Sequence, residues 1–334
     1  MRLYIPEGYK PSLSIRETEQ AIKEIKDLFQ DTLAKALHLT RVSAPLMVFP
    51  ETGLNDNLSG IERPVVFHVP DTQKDAEIVH SLAKWKRVAL KRYGFAAGEG
   101  LYTDMNAIRR DEYLDNIHSI YVDQWDWEKI ITHEERTLQT LTQTVNIIFH
   151  VFKAVESGIS ACYPQLDQYL PEKVTFISAK ALTETYPSLT PKEREEAVCR
   201  KYRAVFITQI GDTNADGEKH DDRAPDYDDW SLNGDLLFYY PVLGCVFEVT
   251  SMGIRVDEGS LLSQIKKAGC EERLALPYHQ AVLHKELPYT IGGGLGQSRI
   301  CMFLLGKAHI GEVQSAVWPP DMETQCQEAN IPLL

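Results

Sequence analysis

The chain has little of what marks secreted, membrane-spanning or nucleic-acid-binding proteins. Its six cysteines are scattered over 334 residues and no C-x-x-C occurs, which argues against zinc or disulfide frameworks and for reduced thiols. The first residues, MRLYIPEGYKPSLS, lack an apolar signal-peptide core, and no run approaches the about 18 apolar residues of a membrane span. A net charge of -13 leaves no basic excess for nucleic acid. We therefore expect a cytoplasmic protein without membrane or nucleic-acid partners.

Common nucleotide and metal motifs are missing as well. The string TIGGGLGQSRICMFLL (290–305) lacks the last glycine of a dinucleotide fingerprint, since Gln297 stands there, and it has no Gly-Lys-Ser/Thr of a P-loop. No H-E-x-x-H zinc motif occurs. The segment from Asp212 opens like an EF-hand loop, but Arg223 stands where the bidentate glutamate is needed. We predict a polar turn at 212–217 rather than a calcium site.

What residues 292–299 do contain is the pattern G-x-G-x-G-x-x-R, formed by Gly292, Gly294, Gly296 and Arg299. Glycines allow a backbone to approach a flat ligand closely, and a helix N-terminus with a guanidinium group suits an anion. The alternative is a tight glycine turn before a core helix, with a surface arginine.

The periodicity predicts an α+β protein built on a mainly antiparallel sheet flanked by helices. Ser14 and Glu17 form a capping box for an amphipathic helix over 14–37, and Thr190 and Glu193 form another for a helix ending near Tyr202. A third helix is predicted at 134–157, and strands at 64–69, 117–123, 173–178, 204–209, 235–241 and 245–250, with 120–128 and 245–255 partly buried. With 43% hydrophobic residues and no long linker, residues 1–334 are expected to form one domain.

Polar side chains alternate with tryptophans in VDQWDWE. On a strand, Gln124, Asp126 and Glu128 share one face and Trp125 and Trp127 the other. We interpret this as a ligand-facing strand; a solvated edge strand is the alternative.

Isolated charges also stand among apolar residues in HSLAKWKR (80–87) and FEVTSMGIR (247–255). Lone basic residues are usually surface charges, but beside apolar strands they are costly without partners. The groups concerned are Ser81, Lys84, Lys86, Glu248, Ser251 and Arg255.

These segments together resemble the catalytic domain of class II aminoacyl-tRNA synthetases. Residues 38–47 are similar to motif 1, the helix and strand ending in proline at a dimer interface; residues 109–128 are similar to motif 2, and 292–299 to motif 3. Within that superfamily the chain resembles the ammonia-dependent asparagine synthetases, or aspartate-ammonia ligases. The strings that carry this resemblance over nearly the whole chain are NDNLSG, HSLAKWKR, AAGEGLYT, VDQWDWE, RAPDYDDW, TSMGIRVD and IGGGLGQSR.

The resemblance implies a reaction in which L-aspartate attacks ATP through its side-chain carboxylate, giving β-aspartyl-adenylate, and ammonia then displaces AMP. It places Arg109, rather than the adjacent Arg110, at the α-phosphoryl group and Arg299 at the outer phosphates. It assigns Mg²⁺ to Glu248, with Asp235 as a weaker candidate. Further ATP contacts are expected from Ser251, Gly294 and Gly296.

For the other substrates, the resemblance implies that Asp126 and Ser81 receive the α-ammonium of aspartate. Lys86 and Arg255 would clamp its α-carboxylate, so that aspartate binds reversed relative to aspartyl-tRNA synthetases. Gln124 would orient the carboxylate under attack. The resemblance also implies that Asp56 attracts ammonium and accepts its proton, with help from Asp228. A short loop is expected between Trp230 and Asn233, beside Asp228.

Three related activities compete with this interpretation. A tRNA-charging paralogue should carry an anticodon-binding domain, for which the helix starting near residue 14 leaves no room. A regulatory paralogue should lack the motif 2 or motif 3 arginine, and both are present. A glutamine-dependent enzyme should have an N-terminal cysteine nucleophile, whereas residue 2 is arginine. The expected partners are therefore L-aspartate, ammonia and ATP, in a homodimer implied by motif 1.

Overall fold

A computed structural model describes residues 3–213 and 217–334. The helices in these ranges are α1 Ile15–Leu37, α2 Ala83–Tyr93, α3 Leu138–Cys162, α4 Ala179–Thr185, α5 Pro191–Tyr202, α6 Glu258–Ala268, α7 Pro277–Leu283, α8 Gln297–Leu304 and α9 Pro320–Glu328. The strands are β1 Leu39–Arg41, β2 Met47–Val48, β3 Val66–Val69, β4 Lys74–Ile78, β5 Gly100–Ile108, β6 Tyr121–Ile130, β7 Thr175–Ser178, β8 Ala204–Thr208, β9 Asp228–Tyr240, β10 Cys245–Arg255 and β11 Thr290–Gly296. Part of the polar turn predicted at 212–217 lies outside the described residues.

Eight strands form one sheet in the order β1-β5-β6-β11-β10-β9-β8-β7. Both outermost pairs, β1 with β5 and β7 with β8, are parallel, and the pairs between them are antiparallel. A second sheet of order β2-β4-β3 is antiparallel. The mainly antiparallel α+β architecture predicted from the sequence is confirmed.

The helices α1 and α3 cover one face of the large sheet, and the alternation in β6 explains how. Trp125 and Trp127 have no solvent exposure and belong to the core, where Phe29 of α1 stacks on Trp125 at 4.8 Å between ring centroids. Both capping boxes predicted from the sequence are present, at Ser14 and Thr190. Because indoles fill one face of β6, the polar residues between them must point to the other face.

Some predicted boundaries are wrong. The third helix was expected at 134–157 but begins after Thr137, whose hydroxyl accepts the Thr140 N–H, and it continues to Cys162. Residues 117–120 were expected in a strand but lie in the loop before β6, where the Asp115 carboxylate accepts the N–H groups of residues 117 and 118. The short loop expected at 231–232 is instead part of β9.

In the described part of the chain, one helix, α3, is long and apolar enough by length and composition to cross a membrane. It packs against α1 and the sheet, and its apolar side chains Leu141, Val145, Ile148 and Phe152 have no solvent exposure. Buried core helices of soluble proteins pass the same test, so this finding is weak evidence for a membrane span.

Candidate active site

A cavity of about 790 Å³ lies over the polar face of β6, β11 and β10. Three loops rim it: residues 56–63, the turn after β5 at 109–113, and the segment 221–227 before β9. Its volume is in the range of small-molecule and cofactor sites, about 300–1,000 Å³. The sheet therefore supplies the floor and irregular segments supply the walls.

The glycines of β11 are required by neighbouring side chains. Gly292 pairs with Glu128 and Gly294 with Asp126 across the β6–β11 ladder. A methyl group on Gly292 would lie 2.1 Å from Glu128 Oε2, and one on Gly294 would lie 2.4 Å from Gln124 Oε1. Close approach of a ligand, which the sequence suggested, is therefore not the reason for glycine at 292: the polar side chains of β6 occupy that space.

The floor carries a buried network of charges. Arg255 donates to both carboxylate oxygens of Glu128, with Nε to Oε1 at 3.0 Å and Nη2 to Oε2 at 2.8 Å, and also donates to Asp228. Lys86 Nζ donates to Asp126 Oδ1 at 2.9 Å. All five side chains have at most 4% exposure. Two cations thus face three carboxyl groups at the base of the cavity.

This network shifts the pKa values of its carboxyl groups in opposite directions. Burial alone would raise the pKa of Glu128, but the positive charges of Arg255 and Lys86 and the Thr290 hydroxyl, which donates to Oε1 at 2.6 Å, hold it below its usual range. Burial raises the pKa of Asp228 despite Arg255, and the charge of Glu128 adds to the increase. A floor with both signs of charge suits a zwitterion, whose ammonium and carboxylate groups need opposite partners.

Two arginines lie at the other end of the cavity. Arg299 Nη1 donates to the carbonyl oxygen of Glu248 at 3.0 Å. Arg109 lines the cavity with its Nε buried and without a partner among the described residues. Arg110 is exposed. An unpartnered buried guanidinium nitrogen is a ready donor for an anionic ligand, so the geometry favours Arg109 over Arg110.

Two carboxyl groups on neighbouring strands, Glu248 of β10 and Asp235 of β9, interact electrostatically near these arginines. Removal of water around Glu248 would raise its pKa, but Arg299, Arg223, Lys192 and Arg109 together lower it. Burial raises the pKa of Asp235 to about 7, and repulsion from Glu248 contributes.

The donor set fits Mg²⁺. Asp235 Oδ1 is buried and has no hydrogen-bond partner within residues 3–213 and 217–334, while Oδ2 accepts from Arg223. No group of three or more His, Cys, Asp or Glu side chains in residues 3–213 and 217–334 forms a metal cage. Mg²⁺ usually binds through only one or two carboxylates and takes its other ligands from water and phosphates, and the carboxyl groups of Asp235 and Glu248 match that number.

The loop containing Asp56 closes one wall. Asp56 is 3% exposed; its Oδ2 accepts from Ser81 Oγ at 2.8 Å and its Oδ1 accepts from the Leu58 N–H at 2.8 Å. At the outer rim, Arg63 pairs with Asp111, which connects this loop to the turn after β5. The structure thus brings Asp56 and Ser81 together on the same wall.

The comparison with known families decides the assignment. A model described as aspartate-ammonia ligase matches residues 16–330. The chain belongs to the aspartate-ammonia ligase family.

Two relatives illustrate how similar it is to other members. It is 65% identical over 330 residues to the aspartate-ammonia ligase of Ruminiclostridium cellulolyticum, with 98% of each chain covered. It is 65% identical over 334 residues to one from Clostridium perfringens, which covers 100% of this chain and 99% of that one.

Solved structures at low identity share the fold. Asparaginyl-tRNA synthetase from Pyrococcus horikoshii, complexed with asparaginyl-adenylate, has a TM-score of 0.65 at 14% identity and covers 91% of this chain and 70% of that one. Aspartyl-tRNA synthetase from Entamoeba histolytica has a TM-score of 0.62 at 14% identity, covering 91% and 59%. The predicted class II synthetase-like fold of this aspartate-ammonia ligase is confirmed.

Every site residue predicted for this ligase family member lies along the cavity or in contact with its lining. Fourteen side chains or backbone positions were proposed, and Asp235 is the one that the lining omits; it contacts the lining residue Arg223. Lys84, by contrast, points away and pairs with the buried Asp226 at 3.2 Å. Sequence reasoning missed Arg223 and His80, although both stand in the strings RAPDYDDW and HSLAKWKR that carry the resemblance.

Proposed function

We propose that this protein makes L-asparagine from L-aspartate, ammonia and ATP through β-aspartyl-adenylate, releasing AMP and pyrophosphate. The observation that carries the proposal is the division of one cavity into a zwitterion-binding floor and an arginine-lined anion end, in a member of the aspartate-ammonia ligase family. A reaction that joins an amino acid to the α-phosphate of ATP needs these two regions side by side.

At the anion end, Arg109 would stabilise the charge that develops on the α-phosphoryl group, and Arg299 would pair with the outer phosphates. Ser251, Gly294 and Gly296 would contact the nucleotide. Glu248 and Asp235 would hold Mg²⁺, which neutralises phosphate charge when bound. Arg109 Nε and Asp235 Oδ1 support these roles, because each is a buried polar atom with no hydrogen-bond partner in the part of the chain that the structure describes, and a ligand would satisfy it.

At the floor, Lys86 and Arg255 would face the α-carboxylate of aspartate, and Asp126 and Ser81 its α-ammonium. Both cations already contact carboxylates, so a bound aspartate would share them rather than replace their partners. Its side-chain carboxylate would then point toward Gln124 and the phosphates. Support comes from Gln124 Oε1, which lies over Gly294 between the two ends of the cavity.

In the second step ammonia would attack the activated carbonyl carbon. Asp56 would hold ammonium and accept a proton, because it is a buried carboxylate on the cavity wall. Asp228 would assist from the floor. Replacing Asp56 with alanine should therefore reduce asparagine formation more than adenylate formation.

We further propose that residues 1–334 act as one cytoplasmic catalytic domain and assemble as a homodimer through the motif 1 segment. The main core runs from Leu13 to Ile331, which supports one domain. The net charge of -13 supports the absence of a nucleic-acid partner.

The test is product analysis by chromatography after incubation with L-aspartate and MgATP plus either ammonium or glutamine. Asparagine and AMP in equal amounts from ammonium would support the proposal. ADP in place of AMP would contradict the adenylate route, and product formation only after tRNA is added would favour a tRNA-charging enzyme.

A further inference from the structure

His80 is a buried residue of the cavity wall that the roles above do not use. Its side chain is 1% exposed and lines the cavity next to Asp56. Its Nε2 has no hydrogen-bond partner in the described part of the chain. A buried imidazole nitrogen without a partner is costly unless a ligand satisfies it.

The surrounding hydrogen bonds fix what this nitrogen can do. His80 Nδ1 lies 3.0 Å from the backbone carbonyl oxygen of Asp56, which only accepts, so Nδ1 carries the proton. In the neutral ring Nε2 is then a bare acceptor. The Asn55 side-chain oxygen accepts the backbone N–H of both His80 and Asp56, each at 2.9 Å, and so fixes the positions of these two residues relative to each other.

The proton balance of the second step calls for such an acceptor. Ammonium carries four protons on nitrogen and the product amide carries two. When the C–N bond forms and the C–O bond breaks, the C–O electron pair leaves with AMP and two protons must leave the nitrogen. The Asp56 carboxylate can hold one of them. Asp228, which assists from the floor, already accepts from Arg255, whereas His80 lies against Asp56 on the wall and could hold the other.

We propose that His80 binds ammonium through Nε2 and accepts the second proton during asparagine formation. This inference rests on the proposed function and extends it by one residue. Asp56 would take the first proton, which converts ammonium into ammonia with a lone pair on nitrogen. His80 Nε2 would accept one of the remaining N–H groups, so that the lone pair points at the acyl carbon, and would take the second proton as the C–N bond forms and AMP leaves.

The experiment compares His80→Asn with His80→Gln. Asparagine keeps a donor near the Nδ1 position but removes the Nε2 acceptor, whereas the glutamine amide oxygen reaches toward the Nε2 position but is not a base. His68→Asn is the control, because His68 is exposed and pairs with the exposed Asp75, away from the cavity lining. Folding of each variant is checked by circular dichroism.

Two activities are measured: aspartate-dependent exchange of pyrophosphate into ATP, which needs no ammonium, and asparagine formation with ammonium varied. We expect exchange within about twofold of wild type in both variants, since only the second step is affected. For His80→Asn the KM for ammonium should rise about 10-fold to 100-fold, as for a lost hydrogen bond to a charged group. For His80→Gln the KM should stay within about threefold while kcat falls at least about tenfold.

Other results would overturn the proposal. A raised KM for aspartate with an unchanged KM for ammonium would assign Nε2 to the α-ammonium of aspartate. An unchanged kcat in His80→Gln would remove the proton-acceptor role, and this variant decides the matter even if His80→Asn does not fold. Absence of ammonium-dependent product in the wild-type protein, by contrast, would contradict the proposed function itself.

Discussion

Gly292→Ala tests whether the charged side chains of the cavity floor leave no room for a side chain at position 292 of β11. The added methyl would lie 2.1 Å from Glu128 Oε2, 2.6 Å from the Trp127 carbonyl oxygen and 2.7 Å from Arg255 Nη2. The carbonyl belongs to the central strand β6 and cannot move independently, so the Glu128–Arg255 pair must open or the strands must separate.

The cost follows from these contacts. Overpacking a well-packed interior costs about 1–3 kcal/mol, and separating a buried ion pair costs about 3–5 kcal/mol because each charge loses its partner. We therefore expect the free energy of unfolding to fall by at least about 3 kcal/mol. For 334 residues the entropy of unfolding is about 0.7 kcal/mol/K, so the melting temperature should fall by about 4 °C or more.

The assay is urea and thermal unfolding followed by circular dichroism, with Gly259→Ala as the matched control. Gly259 lies in α6, and the nearest side-chain atom to a methyl there would be Asp257 Oδ1, at an ordinary 3.4 Å. Alanine in a helix should leave stability unchanged or slightly higher. A loss below about 1 kcal/mol in Gly292→Ala would refute the argument that the floor leaves no space.

Three other predictions follow from the same contacts. Arg109→Gln should lower the kcat for pyrophosphate release about 100-fold or more, because it removes a charge that stabilises the α-phosphoryl group. Arg110→Gln should change the same kcat less than about threefold. Asp226→Asn should destabilise the protein by about 3–5 kcal/mol in urea unfolding, because the carboxylate faces Lys84 and His279 at zero exposure; full stability would contradict this. Burial lowers the pKa of His309 to about 4. Between about pH 6.5 and pH 4 the unfolded chain therefore binds more protons than the folded one, and up to about 3 kcal/mol of the free energy of unfolding is lost as the pH falls. In urea unfolding measured across this range, His309→Asn should lose less stability than wild type.

Local patterns in the sequence were sufficient for the parts of the fold that depend on neighbouring residues. The alternation in VDQWDWE predicts which side chains of β6 enter the core, and Ser14 and Glu17 predict where α1 begins. Such signals are strong because the period of a strand or the geometry of a cap is set within a few residues.

Long-range contacts explain what the sequence did not predict. The predicted strand began at residue 235, and a short loop was predicted between Trp230 and Asn233, so residues 228–234 were expected to lie outside strands. In the structure they extend β9. The Trp230 N–H donates to the Gln264 side chain, and the Asn233 side chain both accepts the Ile210 N–H and donates to the Ile210 carbonyl oxygen. Those partners are distant in sequence, so no local pattern reveals them.

The contacts that build the candidate site also join residues that are distant in sequence. The Arg255–Glu128 pair joins residues 127 positions apart, and the burial of Lys84 depends on Asp226, 142 positions away. The sequence could identify these groups as chemically notable because charges among apolar residues need partners. The charge pattern alone did not distinguish Lys84, which stabilises the fold behind the cavity, from Lys86, which lies in the cavity floor; only the family resemblance singled out Lys86.

The most direct test of the proposed reaction is the transfer of oxygen from aspartate to AMP. L-aspartate labelled with ¹⁸O in its side-chain carboxylate is incubated with MgATP and ammonium, and the AMP is analysed by mass spectrometry. A β-aspartyl-adenylate route predicts one ¹⁸O atom in each AMP. Ammonia attacks the acyl carbon and breaks its C–O bond, which leaves the former carboxylate oxygen on phosphorus. Label in inorganic phosphate together with ADP, or no label in either product, would contradict it.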